Sequence, residues 1–442
     1  MVPCPSAGAV VAGLLTFYSL IVRGSAVGVL STGQLIENHG HQSYSKHSVI
    51  TEDGYLINLF RINKGRGGPP FLLLHALMGA SDQWLLRDRN HDLPSILVNN
   101  GYDVWLGDFR GNLYSKNHTR LNVSNPEYWK FSIDEWAFYD VPAMMNYVCN
   151  NTEYDKMYVV TYSLSSAILF ATASARPEYN DKIIVSYHMA PFLAFTNIKS
   201  LLLRLGVQFG EFYLAISRSI KNHELFSRNH WSMNSMSLFC NKKSIFLKAC
   251  VTLLSELFGF DTSGNSTDYG SMGIKSGKSL FITFQHIKKL KNKKKDSEKY
   301  ETDLDFKLTY SRAGVSLNSI DHLLQMIKAH KFQHYDLGHN KNLKKYGQTK
   351  PPEYDLRRVT SPVVLYYSKN DRVVDNGTIH KLISVLPKVY QTIMIPNEKF
   401  GHIDYAFNSN AKTLVFDSVI NIARQFKIAP SRPQYGYSYY YY

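Results

Sequence analysis

The stretch MYVVTYSLSSAILFATASARPEYN, residues 157–180, decides the fold. Its apolar opening, Tyr158-Val159-Val160, stops at Thr161-Tyr162-Ser163-Leu164-Ser165 and continues with Ala167, Ile168, Phe170 and Ala171 at helical spacing. That pattern predicts a strand, a sharp turn and a helix. Ser163 falls on the turn, lifted out of the sheet and facing the free N–H groups that open the helix, where developing negative charge is stabilised. The general pattern for such an elbow is G-x-S-x-G. Here Thr161 and Ser165 stand in place of both glycines.

Upstream, HSVITEDGYLINLFRIN (residues 47–63) holds two alternating runs around Asp53-Gly54, the spacing of a hairpin with a tight turn. Phe71-Leu72-Leu73-Leu74 is a short continuous apolar run of the kind a central strand needs. It ends in His75-Ala76-Leu77-Met78-Gly79, a loop placed to aim a backbone N–H at the serine, with Leu77 the predicted donor. A short helix is predicted over 92–100, a strand over 102–106, a helix over 133–150 with Asp134 and Glu135 near its start, and a buried strand over 181–191. Strands alternating with helices at these intervals predict an α/β chain whose mostly parallel central sheet is covered on both faces.

From residue 192 to 349 the alternation stops and helical periodicity dominates, through Leu201, Leu202, Leu203 and Leu205 and later Leu253, Leu254, Leu257, Phe258 and Phe260. This reads as a helical cap inserted between a first core part (27–191) and a second (350–428). Its apolar residues either pack on the core or form a lid that turns an apolar face to a lipid–water interface. Within it, residues 272–307 carry ten lysines against five acids and read as a poorly ordered insertion. The core pattern resumes at Pro362-Val363-Val364-Leu365-Tyr366-Tyr367, which ends in Ser368-Lys369-Asn370-Asp371; a strand-like run over 390–395 leads to Gly401-His402-Ile403-Asp404, and a helix over 411–427 follows. The tyrosine-rich residues 429–442 read as an unpacked tail.

With 442 residues, 44% hydrophobic, the chain is long enough for one large domain and a sizeable insertion. Residues 7–22 are an apolar run of sixteen followed by Arg23, Gly24, Ser25 and Ala26, which reads as a secretory signal over 1–26 cleaved near Ala26, or alternatively as a retained anchor. A third of the net charge of +15 lies in the lysine-rich insertion, and that distribution argues against a nucleic-acid partner. In an oxidising compartment Cys240 and Cys250, ten apart, are the expected disulfide, with Cys149 left over; three unpaired thiols are the alternative. Five N-x-S/T triplets, at Asn117, Asn122, Asn150, Asn265 and Asn376, are glycosylation candidates and agree with a secretory route, secreted or lysosomal.

A serine hydroxyl becomes a nucleophile near neutral pH only with a base to take its proton and an acid to orient that base. In chain order, and each after a predicted strand, Ser163, Asp371 and His402 fit those roles. The 31 residues from Asp371 to His402 leave room for a helix and a strand between two adjacent loops. Asp375 is the competing acid, and Asp404 an expected neighbour of the histidine.

The chain resembles the acid lipase family, which includes gastric and lysosomal lipases and insect members, on Thr51-Glu52-Asp53-Gly54-Tyr55, Gly101-Tyr102-Asp103-Val104-Trp105-Leu106-Gly107 with Arg110-Gly111-Asn112, Arg176-Pro177-Glu178-Tyr179, Pro351-Pro352-Glu353-Tyr354 and His402-Ile403-Asp404. The resemblance implies an α/β-hydrolase fold with an inserted cap. It implies nucleophile, acid and histidine at Ser163, Asp371 and His402, and oxyanion donors at the backbones of Leu77 and Leu164. It further implies hydrolysis of carboxylic esters of lipids, acylglycerols or steryl esters, without metal or cofactor. The sequence departs from the family at Thr161 and Ser165, where it has Gly, at Leu164, where it has Gln, and at Ala76, where it has Gly. A β-carbon at Thr161 is expected to crowd the strained turn. Two other readings follow: a relative with weakened or no catalysis that binds lipid or a partner, and a carboxylesterase for small esters.

Overall fold

The computed structural model describes residues 29–431, apart from 42, 64, 66, 195–196, 229–239, 241–243 and 261–303. The predicted leader, Asn265, residues 272–303 of the lysine-rich segment and residues 432–442 of the tail lie outside the described residues.

Eight strands form the path of the main sheet: β1 (Tyr44–Ile50), β2 (Tyr55–Ile62), β3 (Pro70–Leu74), β4 (Asp103–Gly107), β5 (Met157–Tyr162), β6 (Ile183–Met189), β7 (Val363–Tyr367) and β8 (Val389–Met394). Their spatial order is β1-β2-β4-β3-β5-β6-β7-β8, and a two-residue strand, Asn117–His118, pairs with β2. The β1–β2 hairpin and the β2–β4 pair are antiparallel. All remaining pairs along the path are parallel. Gly54 turns the hairpin with φ +96°, a conformation glycine adopts without steric cost.

Every residue of β3, β4, β5 and β6 is buried, as continuous apolar runs must be when both sheet faces are covered. Alternate side chains feed two cores: Leu72, Leu74 and Val159 on one side, Phe71, Leu73, Tyr158 and Val160 on the other. Helices α1 (Leu93–Asn99), α2 (Val141–Asn150) and α3 (Leu164–Ala175) follow the early strands. Asp92 caps α1 by accepting the Ser95 amide. The helix predicted over 133–150 is not uniform: after Ile133–Glu135 it widens into a π turn at Trp136–Asp140 before α2. Pro142 has no N–H to give to the preceding turn, which accounts for the interruption.

Between β6 and β7 lie α4 (Leu201–Ser219), α5 (Leu247–Phe258), a short helix Leu304–Tyr310 and α6 (Leu317–Ala329). Residues 304–307, expected within a loop, therefore belong to a helix. The buried Lys307 amine is accommodated there by donating to the Phe407 carbonyl at 2.9 Å. Cys240 and Cys250 form a disulfide with a Cα separation of 5.4 Å, and Cys149 is buried with Sγ 3.2 Å from the Asp155 carbonyl. The inserted segment is fastened to the core at Asp134, a buried carboxylate that accepts from Tyr354 Oη at 2.5 Å and from the Tyr335 amide at 3.1 Å. Beyond it, α7 (Asn376–Val385) and α8 (Asp417–Ala423), the latter entered through a second π turn at Lys412–Phe416, complete the chain. No helix among the described residues is long and apolar enough to cross a membrane.

Candidate active site

Ser163 follows the last residue of β5 with φ +59° and ψ −121°, a conformation that a non-glycine residue adopts only when its surroundings enforce it. Its amide donates to the Met189 carbonyl of β6, and α3 begins at the next residue. The crowding expected at Thr161 does not arise, because Thr161 lies in the extended strand one residue short of the turn. Its hydroxyl is instead used, lying 2.9 Å from Ser166 Oγ and 2.9 Å from His188 Nδ1. Ser165 is used as well. Its Oγ accepts the Tyr162 amide at 2.8 Å and lies 3.0 Å from the Leu74 carbonyl, the last residue of β3. Hydroxyls thus brace this elbow at the two positions where the sequence lacks glycine.

The loops after β5, β7 and β8 bring Ser163, Asp371 and His402 together. His402 Nε2 lies 2.8 Å from Ser163 Oγ, and His402 Nδ1 lies 2.9 Å from Asp371 Oδ2. With Nδ1–H donating to the carboxylate, Nε2 is the acceptor for the serine hydroxyl. Asp371 Oδ1 accepts the amides of Val373 and Val374, each at 2.8 Å, which fixes the carboxylate with Oδ2 toward the imidazole. All three side chains are buried. Asp375 is elsewhere: it caps α7, accepting from Thr378. Asp404 supports the histidine loop by accepting the Gly401 amide at 2.7 Å.

Three further residues hold that loop, and the sequence alone did not mark them. Tyr162 Oη donates to the His402 carbonyl at 2.7 Å. The buried guanidinium of Arg87 donates to the carbonyls of Asp404, Tyr405 and Asn408, and burial draws its pKa down to about 10. Asn370 donates to carbonyls on two other segments. Each is a side chain recognised only once distant loops are placed beside one another.

The loop after β3 is fixed by His75. Its Nδ1 donates to the Ala76 carbonyl at 2.8 Å while Nε2 accepts from the Phe109 amide at 3.3 Å and from Asn112 Nδ2 at 3.1 Å. Burial holds this imidazole neutral, with a pKa of about 4. Asn112 Nδ2 also reaches Asp108 Oδ1 at 2.8 Å, and that oxygen receives the Ser81 amide. Burial raises the Asp108 carboxyl to about 7. A small recess opens beside this loop, walled by Leu77, Met78, Trp136, Leu164 and Val315; Ser163 adjoins it through Leu164 and is not part of its wall. Leu164 is the first residue of α3, so its amide has no helical acceptor four residues back.

A family model described as a partial alpha/beta-hydrolase lipase region matches residues 32–88, and one described as the alpha/beta hydrolase fold matches residues 69–197. Lipase 3 of Drosophila melanogaster is 29% identical over 413 residues, 92% of this chain and 96% of that protein. The lysosomal acid lipase/cholesteryl ester hydrolase of Rattus norvegicus is 27% identical, covering 88% and 90%. The gastric triacylglycerol lipase of Bos taurus is likewise 27% identical, covering 90% and 92%. The chain has the α/β-hydrolase fold and is similar to acid lipases over most of its length. A solved structure from Sulfolobus solfataricus, 12% identical, superposes with a TM-score of 0.55 over 87% of this chain and 94% of its own, and agrees on the fold. As an acid lipase relative the protein is a carboxylic ester hydrolase, and the strand order described above is the frame on which it carries its elbow.

Proposed function

We propose that this acid lipase relative cleaves acylglycerols or steryl esters through an acyl-enzyme. Ser163 Oγ attacks the ester carbonyl while His402 Nε2 takes its proton; Asp371 keeps Nδ1–H oriented and stabilises the imidazolium that forms. The backbone N–H groups of Leu77 and Leu164 hold the oxyanion. His402 then returns the proton to the departing alcohol, and a water activated by the same imidazole releases the fatty acid. One observation carries the reading: the continuous Ser163–His402–Asp371 chain at 2.8 and 2.9 Å, assembled from three loops at one edge of one sheet.

The lipid character of the substrate rests on the named relatives and on α4, whose Leu201, Leu205, Phe209, Phe212 and Ile216 are exposed along a single stripe that the C-cap residue Ile220 extends. In this reading the stripe is the face that meets a lipid aggregate. A secretory destination is supported by the Cys240–Cys250 disulfide and by exposed Asn117, Asn122 and Asn150; Asn376 is half-buried in the first turn of α7. The test is fatty-acid release from emulsified long-chain acylglycerols and steryl esters alongside a short soluble ester. Turnover of long-chain substrates that disappears in Ser163→Ala is expected. Turnover confined to the short ester would replace the lipase reading by a small-ester esterase, and saturable lipid binding without turnover by a non-catalytic one.

A further inference from the structure

Asn370, the residue before Asp371, sends its side-chain amide in two directions: Nδ2 donates to the Gly259 carbonyl at the end of α5 and to the Lys399 carbonyl at 2.6 Å, in the loop that carries His402. One –NH2 group has two hydrogens, and here each has an acceptor. The same end of α5 also takes the histidine loop directly, because the His402 amide donates to the Phe258 carbonyl at 2.8 Å. Two successive carbonyls of the inserted segment thus hold the acid loop and the histidine loop, one each.

The packing at this junction leaves no room for a side chain. Gly259 has φ +74°, and a β-carbon there would stand 1.8 Å from the Asn370 carbonyl oxygen. A β-carbon on Gly401 would stand 1.9 Å from the Gly259 carbonyl oxygen. Three backbones therefore meet at a distance only glycine permits. Arg372, on the far side of Asp371, closes the junction with an ion pair to Glu256 of α5. The disulfide at Cys250 lies two turns earlier on the same helix.

We propose that Asn370 is a positioning residue for ester hydrolysis, and that with Gly259 it makes the C-terminal end of α5 a fixed part of the catalytic geometry rather than a movable piece of the cap. The proposal rests on the Ser163–His402–Asp371 reading. The Nδ1–Oδ2 contact joins two loops that leave adjacent strands, and Asn370 is the side chain that sets the spacing between those loops. A displacement of about 1 Å at such a contact costs on the order of 100-fold in rate without touching substrate binding. Any part of the cap that opens for substrate must then hinge before the last turn of α5.

The experiment uses Asn370→Asp, which keeps the shape but turns carboxylate oxygens toward two carbonyls, and Asn370→Ser, which keeps one donor and guards against failure of the first variant to fold. Hydrolysis of a short soluble p-nitrophenyl ester and the rate of labelling by a fluorophosphonate are measured together with Tm. The expected result is a fall in kcat and in labelling rate of about 10- to 100-fold for Asn370→Asp, a smaller fall for Asn370→Ser, and KM within about twofold of wild type. Variants with lowered Tm but wild-type kcat and labelling rate would overturn the positioning role. Failure of the wild type itself to be labelled would instead overturn the active-site reading on which the role rests.

Discussion

Along β5 all six residues are buried, whereas α4, with nineteen, buries only Gly210, Leu214 and Ser217 and turns Leu201, Leu205, Phe209, Phe212 and Ile216 outward, a face that its C-cap Ile220 continues. Both segments are rich in apolar residues. In β5 they are locked between two helical layers, and that packing enforces the strained φ at Ser163. On α4 they recur at intervals of four, four, three, four and four, so they form one continuous exposed face. Contiguous exposed apolar surface in a folded chain marks a place of contact. The sheet edge is built to fix three side chains to tenths of an ångström, and the cap helix to present area. Changes at the first should therefore act on the chemical step for every ester, and changes at the second only on substrates that form aggregates.

The sharpest break is at the sheet edge. Ser163→Ala and His402→Ala are each expected to lower kcat on a short soluble ester by about 10⁴-fold or more, with Tm close to wild type. A variant retaining a tenth of the wild-type rate would remove the distinction between the two regions. Asp108 tests the buried side through pH. Folded Asp108 keeps its proton up to about 7, while in the unfolded chain it ionises near the ordinary value of 3.8. Its stabilising contribution is therefore complete below the unfolded value and is lost as pH rises through about 7. Asp108→Asn should gain on wild type by about 2 kcal/mol in unfolding free energy between pH 5 and pH 8. His75, with its pKa near 4, tilts the acid range the other way, so the difference between variant and wild type is the quantity to follow.

Ser165→Ala leaves the buried Tyr162 amide without its acceptor and frees the Leu74 carbonyl, and is expected to cost about 1–3 kcal/mol in urea unfolding. An unchanged midpoint would mean that the elbow is held by packing alone. On the cap, the double change Phe209→Ser and Phe212→Ser should reduce hydrolysis of an emulsion by about tenfold through lost apolar contact while leaving the soluble ester within twofold. Equal losses on both substrates would make α4 part of the catalytic frame and erase the contrast.

Much of the sheet edge was legible in the sequence because its signals are local. Short apolar runs ending in glycine or polar residues located β3, β4, β5 and β7, and the order serine, aspartate, histidine after successive strands located the three side chains that meet. Departures came where a long-range partner decides the outcome. Thr161 looked obstructive by comparison with glycine, but its hydroxyl is paired with Ser166 and His188, the latter from the neighbouring strand. The π turns at Trp136–Asp140 and Lys412–Phe416 lie within stretches whose apolar periodicity reads as plain helix. Asn370 gave no signal, since its two acceptors lie 111 and 29 residues away. Helical periodicity in the cap identified helices without saying which face would remain uncovered, because that depends on packing between segments separated by long insertions.

The central claim, that Ser163 is an activated nucleophile, is tested most directly by treating folded wild-type protein with a fluorophosphonate and reading the site of modification by peptide mass spectrometry. One adduct per chain on the peptide containing Ser163, formed within minutes and absent from His402→Ala, is the result predicted here. A chain that stays unmodified while its circular dichroism and Tm report a folded protein would contradict it.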